Sequence, residues 1–207
     1  MKFSVISGVF RSLVYMQNLR HCFKQQTFTD FEHIVVYDGQ PAEDIIQFFA
    51  KEMSDDPRLK FVILLPFDGD CATKPRNLGI DISRGDFLLF CDDDDIYLPN
   101  YIQTFADNVS DENTFVCCRM NNHGGIIPQN PVEVFPRHGD VGTPMCAYPS
   151  SWFKEPYNVR WSTHKQQGDH DFRLVKECCD KFSPVVKIVS PITIIVKGRM
   201  EDHYPAS

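Results

Sequence analysis

The sequence contains no apolar stretch close to the roughly 20 residues that cross a bilayer, so it predicts no membrane span. Its beginning, MKFSVISGVFRS, lacks the apolar core and the small-residue cleavage site of a secretory signal. Lys and Arg total 21 against 28 Asp and Glu, a net charge of −7, which argues against nucleic acid as a partner. Internal repeats, low-complexity segments and linkers are also absent. We therefore expect a soluble, cytoplasmic, folded chain.

Cysteine spacings typical of zinc sites or disulfide frameworks are missing too. The eight cysteines include two adjacent pairs, Cys117-Cys118 and Cys178-Cys179, and none of them has CxxC spacing. Free cysteine behaves as a small hydrophobic residue. The sequence therefore predicts mostly buried free thiols in a reducing compartment.

Strands and helices alternate over the first 110 residues. Apolar and β-branched runs at 3–10, 32–40, 58–67 and 85–91 predict strands, and the segments 13–28, 42–53, 73–83 and 100–109 predict helices. Such alternation indicates βαβ units and a parallel sheet. Further on, runs at 114–120, 145–153 and 185–198 predict strands, and a helix begins near 169. We predict one α/β domain over 1–207, with a mainly parallel central sheet and helices on both faces.

Four consecutive aspartates, Asp92 to Asp95, follow the apolar run 87–91 directly. At a separation of about 6 Å and an effective dielectric near 20, each neighbouring pair repels by roughly 3 kcal/mol. A solvated loop would screen these charges, and a divalent cation would neutralise them. The cation is favoured here, because ligands of open α/β sheets bind at the carboxyl ends of the strands.

The order of these features resembles the GT-A glycosyltransferases, especially the inverting enzymes of glycosyltransferase family 2. The resemblance is carried by NLRHCFKQQTFTDFEHIVVYDG, KPRNLGIDISRGDFLLFCDDDDIYLP and GDHDFRL. It covers residues 3–110 well and 140–207 loosely. It implies a Rossmann-like GT-A fold, in which 1–110 binds the nucleotide sugar and 111–207 binds the acceptor and supplies catalysis.

The resemblance also implies a set of donor-binding residues. Asp38 would contact the uracil or ribose, and the strand exit at Ser7, Gly8 and Val9 would offer backbone groups to the base. Arg76 would lie near the donor phosphates or the base, where a forked guanidinium suits the task. The alternatives are an exposed turn aspartate and an ordinary charge on a helix surface.

Within the aspartate run, the resemblance assigns a metal site for Mn²⁺ or Mg²⁺. Asp94 would bind the metal, Asp92 would bind it through water or reach the ribose, and Asp95 matches the next acid of the motif. Asp93 is the free position of the motif and belongs to the nucleotide-sugar site. A shift of one residue would exchange these roles. His203 is implied as a metal ligand or phosphate contact.

An inverting transfer needs a base that takes the proton of the acceptor hydroxyl. By resemblance this base is Asp169, or otherwise Asp171, at the start of the later helix. Family members more often have Glu-Asp where this chain has Gly168-Asp169, and Asp169 could simply cap the helix. The other histidines lack metal-ligand spacing and are predicted to be ordinary: His123, His138, His164 and His170.

The implied activity is a metal-dependent, inverting transfer of a hexose or deoxyhexose from a nucleoside-diphosphate sugar, with UDP as the expected nucleotide. The acceptor would be a glycan or glycoprotein. Two alternatives stay open, namely a haloacid-dehalogenase-like phosphatase, which shares the Asp-x-Asp after an apolar strand, and an inactive module that binds a nucleotide sugar. The chain could also form one domain of a larger enzyme, including a viral one.

Overall fold

The architecture comes from a computed structural model, which describes residues 2–67, 69, 71–129, 135–162 and 169–196. Strands and helices alternate through its first half as the sequence predicts. In chain order the elements are β1 (Phe3–Val9), α1 (Leu13–Lys24), β2 (Phe31–Asp38), α2 (Glu43–Asp55), β3 (Leu59–Leu64), α3 (Thr73–Ile82), β4 (Phe87–Phe90), β5 (Asp95–Tyr97) and α4 (Tyr101–Ala106).

The second half adds strands around a single long helix. Its elements are β6 (Thr114–Asn122), β7 (Gly125–Ile127), β8 (Cys146–Pro149), α5 (His170–Phe182) and β9 (Val185–Val196). Short 3₁₀ turns over Thr143–Met145 and Ser150–Phe153 flank β8. The sequence instead favoured one strand over 145–153, but the chain stays extended for only four residues there.

All of these strands join one sheet in the order β3-β2-β1-β4-β8-β6-β9-β5, with β7 paired to β6. Strands β1 to β4 are parallel, so their carboxyl ends share one edge. The second half is mixed, because β8 runs antiparallel to β4 and β6, whereas β9 runs parallel to β6. The predicted α/β class is confirmed, and the parallel part is confined to β1–β4 and the β6–β9 pair.

Helices cover both faces of the parallel strands, as predicted. On one face, Phe23 of α1 lies 6.4 Å from Phe31 of β2, ring centre to ring centre. On the other face, Gly79 of α3 is so close to β1 that a Cβ there would lie 2.3 Å from the Ile6 Cγ2. The sheet core is therefore sandwiched between α1 and α3, and β1 is buried along its whole length.

A buried ion network joins α1 and α2 to the sheet. Arg20, only 2% exposed, donates from Nη2 to Asp56 at 2.9 Å and from Nε to Glu52 at 3.2 Å. Its Nη1 lies 2.9 Å from Nδ1 of His33, whose Nε2 lies 3.2 Å from Ser7 Oγ. Burial and the neighbouring Arg20 lower the pKa of His33 well below its usual range, so this ring stays neutral.

The remaining global predictions concern thiols and membranes. All eight cysteines are free, and six of them are buried, which confirms the predicted free thiols. None of the helices in the described part of the chain is long and apolar enough to cross a bilayer.

Candidate active site

A cavity of about 270 Å³ opens where β1 and β4 separate. The two strands pair from Phe3 to Ile6 only, so the exit of β1 has β2 on one side and open space on the other. The helices that follow β1 and precede β4 lie on opposite faces of the sheet. This is the switch point at which open α/β sheets bind ligands.

Gly8 lines this cavity at the exit of β1. A Cβ at this position would lie 2.8 Å from the Ala72 Cβ, closer than real contacts allow. The absence of a side chain therefore lets the strand pass against the start of α3, and the residue forms part of the cavity wall.

Two arginines form ion pairs with the aspartate run. Arg76 Nη2 lies 2.5 Å from Asp92 Oδ1, and Arg11 Nη1 lies 2.6 Å from Asp94 Oδ2 and 3.5 Å from Asp93 Oδ1. Burial raises the pKa of Asp93 to about 7, with Arg11 opposing and the adjacent acids adding to the shift. Burial and the adjacent acids raise the pKa of Asp95 to about 9, and Arg11 again opposes the shift. The run is thus a partly buried cluster rather than a solvated loop.

Arg76 occupies the centre of this arrangement. Besides Asp92, its guanidinium donates from Nη1 to the carbonyl of Cys71 at 2.9 Å and lies over the ring of Trp161 at 4.4 Å. Asn77 holds that tryptophan in place, because its amide donates to the Trp161 carbonyl and accepts from the Trp161 N–H, both at 3.0 Å. Asn77 therefore holds Trp161, and Trp161 supports the planar guanidinium of Arg76, whose N–H donors face Asp92.

Asp171 reaches the same cavity from the second half of the chain. Thr143 Oγ1 donates to Asp171 Oδ1 at 2.6 Å and orients the carboxylate. Burial raises the pKa of Asp171; Arg76 opposes the shift, and Asp92 adds to it. A half-buried carboxylate with a raised pKa, held by one hydroxyl donor, suits a general base.

Asp169 has a different environment. It precedes α5, forms an ion pair with Arg173 at 2.8 Å, and is not among the residues that line the cavity. The hydrogen bond from Arg173 lowers the pKa of Asp169. Of the two predicted bases, the structure therefore brings only Asp171 to the site.

The other predicted donor contacts are not among the residues that line the cavity. Asp38 ends β2, is buried, and accepts a hydrogen bond from the Gly69 N–H at 3.0 Å. The Ser7 side chain points to the opposite face, toward His33, and Val9 is buried. For Ser7 and Val9, the backbone groups rather than the side chains are therefore suited to contact a ligand.

Six of the cavity residues were missed from the sequence, and Arg11, Thr143 and His170 are the ones among them that the site uses. Arg11 follows β1 by two residues, at the same sheet edge as the aspartates, and that position could have identified it. Thr143 lies in an irregular Gly-Pro segment that carries no signal. His170 was predicted to be ordinary because it lacks metal-ligand spacing.

The predicted metal ligands are only partly within the described chain, because His203 lies outside it. Across the described residues, no three His, Cys, Asp or Glu side chains form a ready ligand group. Asp92 and Asp94 nevertheless line one cavity with side chains 28% and 25% exposed, and Asp93 Oδ2 is buried without a hydrogen bond. Two accessible carboxylates fit Mg²⁺ or Mn²⁺, which commonly take one or two protein carboxylates and complete their shell with phosphate oxygens.

Comparison with known proteins gives a consistent result. A family model described as Glycosyl transferase family 2 matches residues 4–167. The Bacillus subtilis protein EpsH, described as a glycosyltransferase, is 32% identical over 117 residues, which are 56% of this chain and 32% of EpsH.

Solved structures match over nearly the whole chain. S. aureus TarS 1-349 in complex with UDP-GlcNAc has a TM-score of 0.73 at 19% identity, covering 100% of this chain and 62% of that one. Mannosyltransferase PcManGT from Pyrobaculum calidifontis, with GDP-Man and Mn²⁺, has a TM-score of 0.72 at 11% identity, covering 96% and 57%. These likenesses confirm the predicted GT-A fold. The chain spans less than two thirds of each of the three proteins.

Proposed function

Because the chain belongs to glycosyl transferase family 2, we propose that it transfers a sugar from a nucleoside-diphosphate sugar, with UDP as the nucleotide, to a hydroxyl of a glycan or glycoprotein. The transfer inverts the anomeric centre and depends on Mn²⁺ or Mg²⁺. Support for the nucleotide comes from TarS, which binds UDP-GlcNAc, and support for the metal comes from PcManGT, which binds Mn²⁺ with GDP-Man.

One observation carries this proposal. Asp92, which follows β4, and Asp171, at the start of α5, line one cavity although 78 residues separate them in the chain, and the charges of both act on Arg76. We assign Asp92, which pairs with Arg76, to the diphosphate and metal site, and Asp171 to the base site. We assign residues 1–110 to donor binding and 111–207 to acceptor binding and catalysis.

On the donor side, Arg76 and Arg11 provide positive charge for the diphosphate, and forked guanidinium groups suit phosphate oxygens. The backbone at Ser7, Gly8 and Val9 and the carboxylate of Asp38 lie at the ends of β1 and β2, where a base and ribose would bind. Asp93 Oδ1 lies 3.5 Å from Arg11 Nη1 and contributes negative charge to the same site.

On the acceptor side, Asp171 takes the proton of the attacking hydroxyl. Thr143 holds one carboxylate oxygen, which leaves the other for the substrate. The new bond joins the acceptor oxygen to the anomeric carbon as the bond to the diphosphate breaks, and the proton stays on Asp171. Inversion follows because the base and the leaving diphosphate lie on opposite sides of the sugar.

Asp92 and Asp94 would hold the divalent cation, with His203 as a further candidate ligand. When bound, the cation neutralises charge that develops on the leaving diphosphate. Arg11 contacts Asp94 in the structure, so this arginine must exchange partners when a cation and a diphosphate enter together. The diphosphate would then be the new partner of Arg11.

A sugar-nucleotide-binding module without turnover is the second candidate, because Arg11 and Arg76 already neutralise Asp94 and Asp92 in the structure. Calorimetric titration of UDP with and without Mn²⁺, on the wild type and on Asp94→Ala, tests binding. We expect binding that requires Mn²⁺ and that is lost in Asp94→Ala. Absence of UDP binding under both conditions would refute UDP as the donor nucleotide.

Turnover distinguishes the two candidates. UDP release from UDP-N-acetylglucosamine and UDP-glucose is measured with sugar acceptors, for Asp171→Asn and for the matched control Asp169→Asn. We expect Asp171→Asn to lower kcat by roughly 10²- to 10⁴-fold, the usual contribution of a general base. Asp169→Asn should stay within a few-fold of the wild type. Equal rates for Asp171→Asn and the wild type would remove Asp171 as the base.

A further inference from the structure

His170 is a cavity residue that the proposed transfer does not yet use. It is the first residue of α5, is 9% exposed, and lines the same cavity as Asp92 and its neighbour Asp171. A histidine in such a position could be purely structural. Its hydrogen bonding indicates otherwise.

The orientation of the ring follows from a single contact. Nδ1 lies 3.2 Å from the backbone carbonyl of Ser162. A carbonyl oxygen only accepts hydrogen bonds, so Nδ1 carries the hydrogen. In the neutral ring, Nε2 then keeps the lone pair and acts as an acceptor. The tautomer is thus fixed by the backbone, independently of any ligand.

The free nitrogen has no protein partner within the described ranges. The one hydrogen bond of the ring found there is made by Nδ1, and Nε2 makes none. Beside it, Thr143 occupies one oxygen of Asp171. A lone pair of fixed direction and a carboxylate oxygen therefore lie on successive residues that line one cavity, and both accept hydrogen bonds from hydroxyl groups.

We propose that Nε2 of His170 accepts a hydrogen bond from a sugar hydroxyl bound next to Asp171. The inference rests on the proposed sugar transfer and extends it to the recognition of a second hydroxyl. That hydroxyl belongs either to the donor sugar or to the acceptor. In both cases His170 positions a polyhydroxylated ligand so that only one of its hydroxyls faces the base.

A matched pair of substitutions separates the two nitrogens. In His170→Asn, the side-chain amide can still donate to the Ser162 carbonyl from the place of Nδ1, but nothing replaces Nε2. In His170→Gln, the longer side chain reaches the place of Nε2 with an amide group, whereas the contact to Ser162 is lost. A purely structural histidine would therefore tolerate Asn better than Gln, and the proposal predicts the reverse order.

Calorimetry first compares UDP with UDP-N-acetylglucosamine, so that the contribution of the sugar is obtained separately from that of the nucleotide. If His170 binds a hydroxyl of the donor sugar, His170→Asn weakens UDP-N-acetylglucosamine binding by roughly three- to tenfold, as expected for one hydrogen bond. UDP binding is then unchanged. His170→Gln restores most of the loss.

If His170 binds a hydroxyl of the acceptor, donor binding is unchanged in both His170→Asn and His170→Gln. The KM for the methyl β-glycosides of glucose, galactose and N-acetylglucosamine, used as acceptor probes, then rises by a similar factor in His170→Asn while kcat changes little. A His170→Asn variant that matches the wild type in both measurements overturns the proposal. So does a loss that includes UDP itself, because the cavity would then be deformed.

Failure of the proposed function is visible separately. A wild-type protein that binds neither UDP nor UDP-N-acetylglucosamine refutes the proposed transfer from a UDP-sugar before any variant is compared. Wild-type binding combined with an unaffected His170→Asn variant refutes the role of His170 alone.

Discussion

Replacing Arg20 with methionine tests whether the ion network beneath the sheet stabilises the donor half. Methionine keeps the length and the apolar stem of arginine but carries no charge. In the folded protein it would leave Glu52 and Asp56, both buried, without the guanidinium that binds them at 3.2 Å and 2.9 Å. His33 would also lose its partner at Nδ1.

The expected magnitude follows from the remaining contacts. Breaking a buried pair by removing one partner costs about 3 to 5 kcal/mol, since a charge then stays buried without compensation. Here Lys24 still binds Glu52 at 2.6 Å and Arg58 still binds Asp56 at 2.9 Å. Because both acids keep one cation, we expect the lower end of this range, about 3 kcal/mol.

Urea denaturation monitored by circular dichroism provides the measurement. For a chain of this size the denaturant slope is about 2.5 kcal/mol per molar, so the midpoint should fall by about 1 M. The matched control is Lys51→Met on α2, because the Lys51–Asp55 pair is exposed to solvent and should leave the midpoint unchanged. Equal, small shifts for Arg20→Met and Lys51→Met would refute the argument.

Three further predictions concern packing, pH and the arginine support. Gly79→Ala should destabilise the fold by about 1 to 3 kcal/mol in urea denaturation, because the new Cβ would meet Ile6 at 2.3 Å. Transfer needs ionised Asp171, and burial raises the pKa of Asp171. In a pH profile, kcat/KM should therefore fall on acidification at a higher pH than the value of about 4 expected for an ordinary aspartate. Trp161→Leu should weaken UDP binding in calorimetry by about three- to tenfold, and Trp161→Phe by less, because the ring face under Arg76 is lost or reduced.

The donor half was predictable because its signals are local. Buried strands followed by amphipathic helices determine a parallel sheet, and strand ends place acids at one edge. That rule accounts for Asp92, whereas Gly8 and Arg76, which line the same cavity, were assigned through the resemblance to the GT-A enzymes. Predicting these three residues needs no knowledge of the second half of the chain.

The remainder depends on contacts that a linear pattern does not contain. The strands Asp95–Tyr97 and Gly125–Ile127 have three residues each, too few to show an alternation. The choice between Asp169 and Asp171 depends on Arg173 and Thr143, which bind one acid each. Both acids lie at the start of the same helix, so their positions in the sequence could not show which of them reaches the cavity.

The pairing of β5 has a consequence for the order of folding. β5 starts at the last residue of the aspartate run, and its neighbour in the sheet is β9, at the far end of the described chain. During synthesis the parallel strands β1 to β4 leave the ribosome early and can collapse as a unit, but β5 must wait for β9. The segment after the carboxylates therefore obtains its strand partner last, and until β9 is made it has its contacts with the α1 region, such as Tyr97 against Phe23 and the Leu98 carbonyl with Gln26, but no neighbouring strand.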